Sequence, residues 1–169
     1  VLSPVRKPLV VLTPKSLLRN PAAVSGLADL SDGTFQEIID GPDNDANARK
    51  VLFCSGKLFY ELQARRQKIS TKEVALVRVE QLYPFAEQPL KAAISRYQKA
   101  KQWVWVQEEP ENMGGWTFIR PRLEGLVKGG LDYIGRPASP TPATGFPAIY
   151  RQQQQAVVDQ AVGVLEQAQ

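Results

Sequence analysis

Val51-Leu52-Phe53-Cys54-Ser55-Gly56-Lys57-Leu58-Phe59-Tyr60-Glu61-Leu62 is the stretch on which the fold turns. An apolar run from Val51 to Ser55 stops at a Ser-Gly turn, and from Lys57 the pattern restarts with Leu58, Phe59 and Leu62 at helical spacing. A continuous apolar run suits a strand covered on both faces, because successive side chains point to opposite sides and each needs apolar cover. The helical pattern extends from Lys57 to Lys68 and closes on Arg65-Arg66-Gln67-Lys68, whose cations complement a helix C-terminus. Val74 to Val79 is the next apolar run, so strand, helix and strand follow one another as in a crossover unit.

Outward from this unit, Pro8 to Leu12, Phe35 to Ile39, Trp103 to Gln107 and Leu131 to Ile134 read as further strands. After Pro89, Leu90, Ala93, Ile94 and Tyr97 fall on one helix face. From about Gln152, Val157, Val158, Ala161, Val162 and Leu165 do the same, with the four consecutive glutamines predicted to face water. Alternating strands and helices predict an α/β three-layer sandwich with a mostly parallel sheet of five or six strands, as a single domain over residues 1–169. Asp40 to Arg49 reads as a polar turn-rich loop, and Arg136 to Phe146 as an irregular surface stretch.

Composition bounds the chemistry. The chain has 169 residues, 43% hydrophobic and 22% charged, enough for one core, and no apolar run approaches the roughly 20 residues that span a bilayer. A formal charge of +4 with scattered basic residues implies neither nucleic acid nor a membrane surface as partner. With no histidine and one cysteine, zinc sites and Ser-His or Cys-His catalysis within one subunit are excluded. Cys54, inside an apolar run, reads as a buried inert thiol in a reducing compartment. The start, Val1-Leu2-Ser3-Pro4, has neither an initiator Met nor a signal-peptide pattern and reads as a piece of a longer chain.

Several residues could carry a ligand. Ser55-Gly56-Lys57 lies between a strand and a helix, where backbone N–H groups and a lysine can receive a phosphate, or where an ordinary helix simply starts. Glu80 and the acids Glu108, Glu109 and Glu111 follow strand ends, the edge where parallel sheets hold ligands, though structural loop acids fit the same pattern. Gly114-Gly115-Trp116 offers a close backbone approach and a large anchor for an interface, or a tight turn before a helix whose Trp enters the core. Lys15, Arg19, Arg78 and Arg136 could meet a phosphate; Arg78, within an apolar strand, needs an anionic partner, while solvent exposure is the expectation for the other three.

Five motifs in order then carry a resemblance: Gly33-Thr34-Phe35, Cys54-Ser55-Gly56-Lys57-Leu58-Phe59-Tyr60, Val77-Arg78-Val79-Glu80-Gln81-Leu82-Tyr83-Pro84-Phe85, Trp105-Val106-Gln107-Glu108-Glu109-Pro110 and Tyr133-Ile134-Gly135-Arg136-Pro137-Ala138-Ser139. Together with Arg6 to Asn20, they make nearly the whole chain resemble the C-terminal domain of the 2-oxoglutarate dehydrogenase first component. The resemblance implies a transketolase-like C-terminal fold, the last part of a long homodimeric oxidoreductase of the citric acid cycle. That enzyme decarboxylates 2-oxoglutarate on thiamine diphosphate and magnesium and passes the succinyl group to a lipoyl-bearing second component. Cofactor and catalytic residues are then expected outside this chain, in the bacterial cytoplasm or the mitochondrial matrix. Some actinobacterial members bind acetyl-coenzyme A on this domain, which implies Arg78, Gln81 and Arg136, with Lys15 and Ser16, as effector residues. Where those members carry paired arginines, this chain has Arg136-Pro137. An acetyl-coenzyme A or nucleotide-binding regulatory module is the alternative reading. For the dimer interface the expected residues are Trp116, Gly114, Gly115, Glu108 and Glu109.

Overall fold

The computed structural model describes residues 7–8, 10–41 and 43–163. Two compact units divide the chain, one ending at Gly33 and the other beginning at Thr34. In the first, a single 3-10 turn covers Lys15–Leu17 and helix α1 covers Leu27–Ser31, with the Gly26 N–H donating to the Asp29 carboxylate at 2.8 Å. The expected strand from Pro8 to Leu12 is not formed at its described residues, where Val10, Val11 and Leu12 are 80%, 69% and 94% exposed. A β-prone run becomes a strand only beside a neighbour that receives its backbone hydrogen bonds, and none of the described strands lies in this unit.

The second unit is a three-layer sandwich. Its elements are β1 (Ile38–Asp40), β2 (Lys50–Cys54), α2 (Leu58–Lys68), β3 (Val74–Val79), α3 (Glu87–Ser95), β4 (Gln102–Pro110), α4 (Trp116–Glu124), β5 (Asp132–Arg136) and α5 (Pro147–Val162). The sheet has five strands in the order β1-β3-β2-β4-β5, parallel except for β1, which pairs antiparallel with β3 through Ile38 and Val79. Phe35 lies outside β1 and is 69% exposed, so the apolar run predicted from Phe35 joins the sheet only at its end.

The unalternated run in β2 is explained by its two covers. Val51 and Phe53 face one side, packed with Leu90, Tyr97, Ile119 and Leu123 from α3, the turn after it, and α4. Leu52 and Cys54 face the other, packed with Leu58 and Leu62 of α2 and Val157 and Ala161 of α5. Cys54 is fully buried, and burial pushes its thiol from the ordinary 9.0 up to about 12.

Helix α5 starts at Pro147, five residues before the predicted start, because proline's fixed φ suits a first helical turn. The glutamine run does not uniformly face water: Gln154 is only 7% exposed. It lies three, four and seven residues before Val157, Val158 and Ala161, on their buried face. Leu165 lies outside the described residues. No helix among the described residues is long and apolar enough to cross a membrane.

Candidate functional site

Strand β2 has β3 on one side and β4 on the other, so the chain reverses its direction across the sheet between β2 and β4. In open parallel sheets the ligand crevice lies at the carboxyl ends of such a strand pair. Here that place is filled by a network of the chain's own charges. Gly56, in the left-handed region at φ 59°, makes the turn after β2 and places Lys57 at the mouth. Lys57 Nζ donates to Glu61 Oε1 and Glu108 Oε1, each at 2.7 Å, and bridges β2 to β4 across the reversal. The Tyr150 hydroxyl donates to Glu108 at 3.0 Å, and Gln154 Nε2 donates to Glu61 at 2.7 Å, tying in α5. Burial alone would weaken the Lys57 ammonium, but the bonds to Glu108 and Glu61 outweigh it and hold its pKa above the ordinary lysine value.

Arg136 closes the same network from β5. Against the expectation of solvent exposure, it is only 6% exposed. Its Nε donates to Gln153 at 3.1 Å, Nη2 to Gln154 at 2.9 Å and Nη1 to the Glu108 carbonyl, with Tyr150's ring 4.9 Å away. The inward side of β5 holds Ile134 and Arg136 two residues apart, and strand alternation turns the arginine in.

Arg78 has the anionic partner its position requires. Its Nε donates to Glu80 at 3.1 Å, and its guanidinium lies 4.7 Å from the Phe59 ring and 5.3 Å from that of Tyr60. Glu80 also accepts from the Gly56 N–H at 3.2 Å. The turn that could have cradled a phosphate therefore already holds a carboxylate at its backbone and two more at its lysine. A diphosphate group does not fit these residues, and among the described residues no three Cys, Asp or Glu side chains are grouped to hold a metal ion.

Gln81, half-buried, donates to the Pro84 carbonyl at 2.9 Å. Lys15, Ser16 and Arg19 are exposed in the first unit. Trp116 takes the core position of its two readings, 6% exposed, with its ring 5.1 Å from that of Tyr133. A Cβ on Gly114, at φ 67°, would lie 3.0 Å from both Gln107 Nε2 and Glu109 Cβ; one on Gly115 would lie 3.2 Å from the Trp105 ring. These glycines let the turn after β4 fold back on the strand.

Gln107 is the organiser that motif reading missed. Buried at 4% exposure, its Oε1 accepts from Trp105 Nε1 at 2.9 Å and from the Trp116 N–H at 3.0 Å. Its Nε2 donates to the carbonyls of Glu109, Pro110 and Met113 at 3.3, 3.1 and 2.8 Å. Glu108 and Glu109, expected to follow the strand, lie within β4, which runs three residues past the predicted end at Gln107, and Gln107 sews this strand end to the turn after it and to the start of α4.

Residues 24–162 match the family described as 2-oxoglutarate dehydrogenase C-terminal. The chain belongs to this family. It is 44% identical over 170 residues to the 2-oxoglutarate dehydrogenase E1 component of Coxiella burnetii, covering 97% of this chain and 18% of that protein. Identity is 46% over 157 residues to the 2-oxoadipate dehydrogenase complex component E1 of Danio rerio, covering 90% and 17%. For the 2-oxoglutarate dehydrogenase E1 component of Haemophilus influenzae it is 41% over 161 residues, covering 93% and 17%. The chain spans less than a fifth of the length of these curated relatives. Family membership explains the motif order, and in this fold those motifs come together as the network of Lys57, Glu108 and Arg136.

Proposed function

We propose that this chain is the C-terminal domain of a thiamine-diphosphate-dependent 2-oxo acid dehydrogenase first component, and that its part in the enzyme is architectural. The observation that carries the reading is the closed carboxyl edge of the sheet: Lys57 pairs with Glu61 and Glu108, Arg136 donates to the Glu108 carbonyl, and Glu80 is taken by Arg78 and the Gly56 N–H, so each of these groups is already engaged. Catalysis on thiamine diphosphate and magnesium belongs to the rest of the polypeptide. The names of the relatives support decarboxylation of 2-oxoglutarate or 2-oxoadipate with oxidoreductase activity. For the 2-oxoglutarate form they support transfer of the succinyl group to a lipoyl-bearing succinyltransferase. In this reading the enzyme is a homodimer in the bacterial cytoplasm or the mitochondrial matrix. Exposed Tyr83 and Phe146, at 82% and 70%, offer contact area on this domain, alongside Glu109 at the end of β4 and Gly114 and Gly115 in the turn after it.

Regulation by acetyl-coenzyme A or a nucleotide is carried best by Arg78, which lies near the carboxyl end of β3 with only Glu80 as an ion-pair partner among the described residues. Gln81 stays a candidate contact beside it, Lys15 and Ser16 are candidates on the first unit by themselves, and Arg136 would act by holding α5 in place. The deciding experiment removes residues 24–162 from the complete polypeptide. Release of carbon dioxide from 2-oxoglutarate and 2-oxoadipate should fall to background, and the 169-residue chain alone should release none. Decarboxylation by that chain alone would overturn the reading.

A further inference from the structure

Apolar exposure on the second unit is confined to one edge. Among its described residues, the large apolar side chains left exposed are Phe35, Tyr83, Phe146 and Ile149. β1 runs antiparallel to the other strands, so the residues before it lie where β3 ends, and the Glu37 carbonyl accepts from the Glu80 and Gln81 N–H groups at 2.9 and 3.1 Å. Phe35 and Tyr83 flank this junction at the carboxyl edge of the sheet. Phe146 and Ile149 open α5, whose Tyr150 hydroxyl donates to Glu108 at the same edge. The charges of that edge, Lys57, Glu61, Glu80 and Glu108, are answered within the chain. Exposed aromatic side chains on an edge whose charges need no partner suit a protein surface better than an ionic ligand.

The path of the chain says what covers this edge. Thr34 begins the second unit next to Phe35, so the polypeptide ahead of it is delivered to the carboxyl edge. The relatives carry more than four-fifths of their length outside the span that this chain covers, and a family described as C-terminal puts that length ahead of it. The four side chains expose about 500 Å², less than the roughly 800 Å² that a stable interface between separate partners takes from each. Within one chain the tether supplies the effective concentration, and a smaller contact suffices. We infer that the preceding part of the same polypeptide docks on this edge through an apolar surface of its own, anchored by Phe35 and Tyr83 at the end of β3 and by Phe146 and Ile149 at the start of α5. This rests on the reading of the chain as the C-terminal domain of a longer first component.

In the complete natural polypeptide, photoreactive benzoylphenylalanine in place of Tyr83 or Phe146 should, on irradiation, join either position to residues ahead of this chain, in a product that runs as one polypeptide on a denaturing gel. Moving the group to Lys101, exposed just before β4 at the opposite edge, should abolish that product. No cross-link from either aromatic position overturns the docking surface. A product of twice the mass, joining this edge to a second copy, overturns the occupant, and an equal yield from Lys101 overturns the choice of edge. Carbon dioxide release plays no part in these readings, so a failed docking leaves the deletion of residues 24–162 to decide the proposed function by itself.

Discussion

Trp105 and Trp103 stand two residues apart on the same face of β4, and their indoles live in opposite circumstances. Toward the carboxyl end, Trp105 donates to Gln107, and through Gln107 it joins a region where backbone and side-chain donors have acceptors. Toward the amino end, Trp103 has none among the described residues. The contrast separates a part of the molecule whose polar groups are paired by its own sequence from one in which a buried donor is left unpaired. It also runs against expectation: the crevice predicted by sheet topology is closed, and the unpaired polar group is buried at the other end of the strand.

The sharpest way to break the comparison is Gln107→Leu. Two buried donors, Trp105 Nε1 and the Trp116 N–H, would lose their acceptor and three carbonyls their donor. The expected cost is about 3 kcal/mol, read as a lower urea midpoint at unchanged slope. A cost near zero would mean that the end of β4 and the turn to Gly114 hold themselves without Gln107.

Next in size is Lys57→Met, which leaves Glu61 and Glu108 facing each other without their shared cation, at about 2 kcal/mol near neutral pH. The pH dependence has a defined sign. Because the folded pKa of Lys57 lies above the ordinary 10.5, its contribution is full below that value and is lost as pH rises through the folded one. Cys54 behaves alike from 9.0 to about 12, so the measurement belongs in a Cys54→Ala background. There, Lys57→Met should flatten the alkaline loss of stability. An unchanged alkaline limb would show that the ammonium contributes nothing to the carboxyl-edge network.

How much of this was legible in the sequence divides along the same line. The sheet was readable because β2, β3 and β4 carry continuous apolar runs, a pattern forced by two helix layers. The run at Pro8 to Leu12 has the same composition without a partner strand, and composition cannot report a partner. Glu108 and Arg136 stand out by position, but the network joining them depends on Tyr150 and Gln154, some fourteen and eighteen residues past Arg136. Periodicity held the missing signal: Gln154 shares the helical phase of Val157, Val158 and Ala161, and Gln107 shares the strand alternation of Trp103 and Trp105. A polar residue on an apolar phase is a buried organiser, whereas its local neighbours, four glutamines or three acids, suggest a wet surface. The unpaired N–H of Trp103 left no such trace, because a donor's lack of an acceptor exists only once the chain is folded.

The smallest effects make the finest test. Trp105→Phe should cost about 1.5 kcal/mol, since it removes a satisfied hydrogen bond and leaves space in a site only 2% exposed. Trp103→Phe should cost less, about 1 kcal/mol, because the buried ring loses packing but the lost N–H had no bond to lose. The same substitution on the same strand face thus separates the two regions by thermal midpoint alone. If Trp103→Phe destabilises as much as Trp105→Phe, the indole N–H already has an acceptor in solution, water or a second chain. If the cost is the smaller one, as expected, the indole N–H of Trp103 adds nothing to the stability of the fold, and the packing of its ring on Phe53 accounts for its whole contribution.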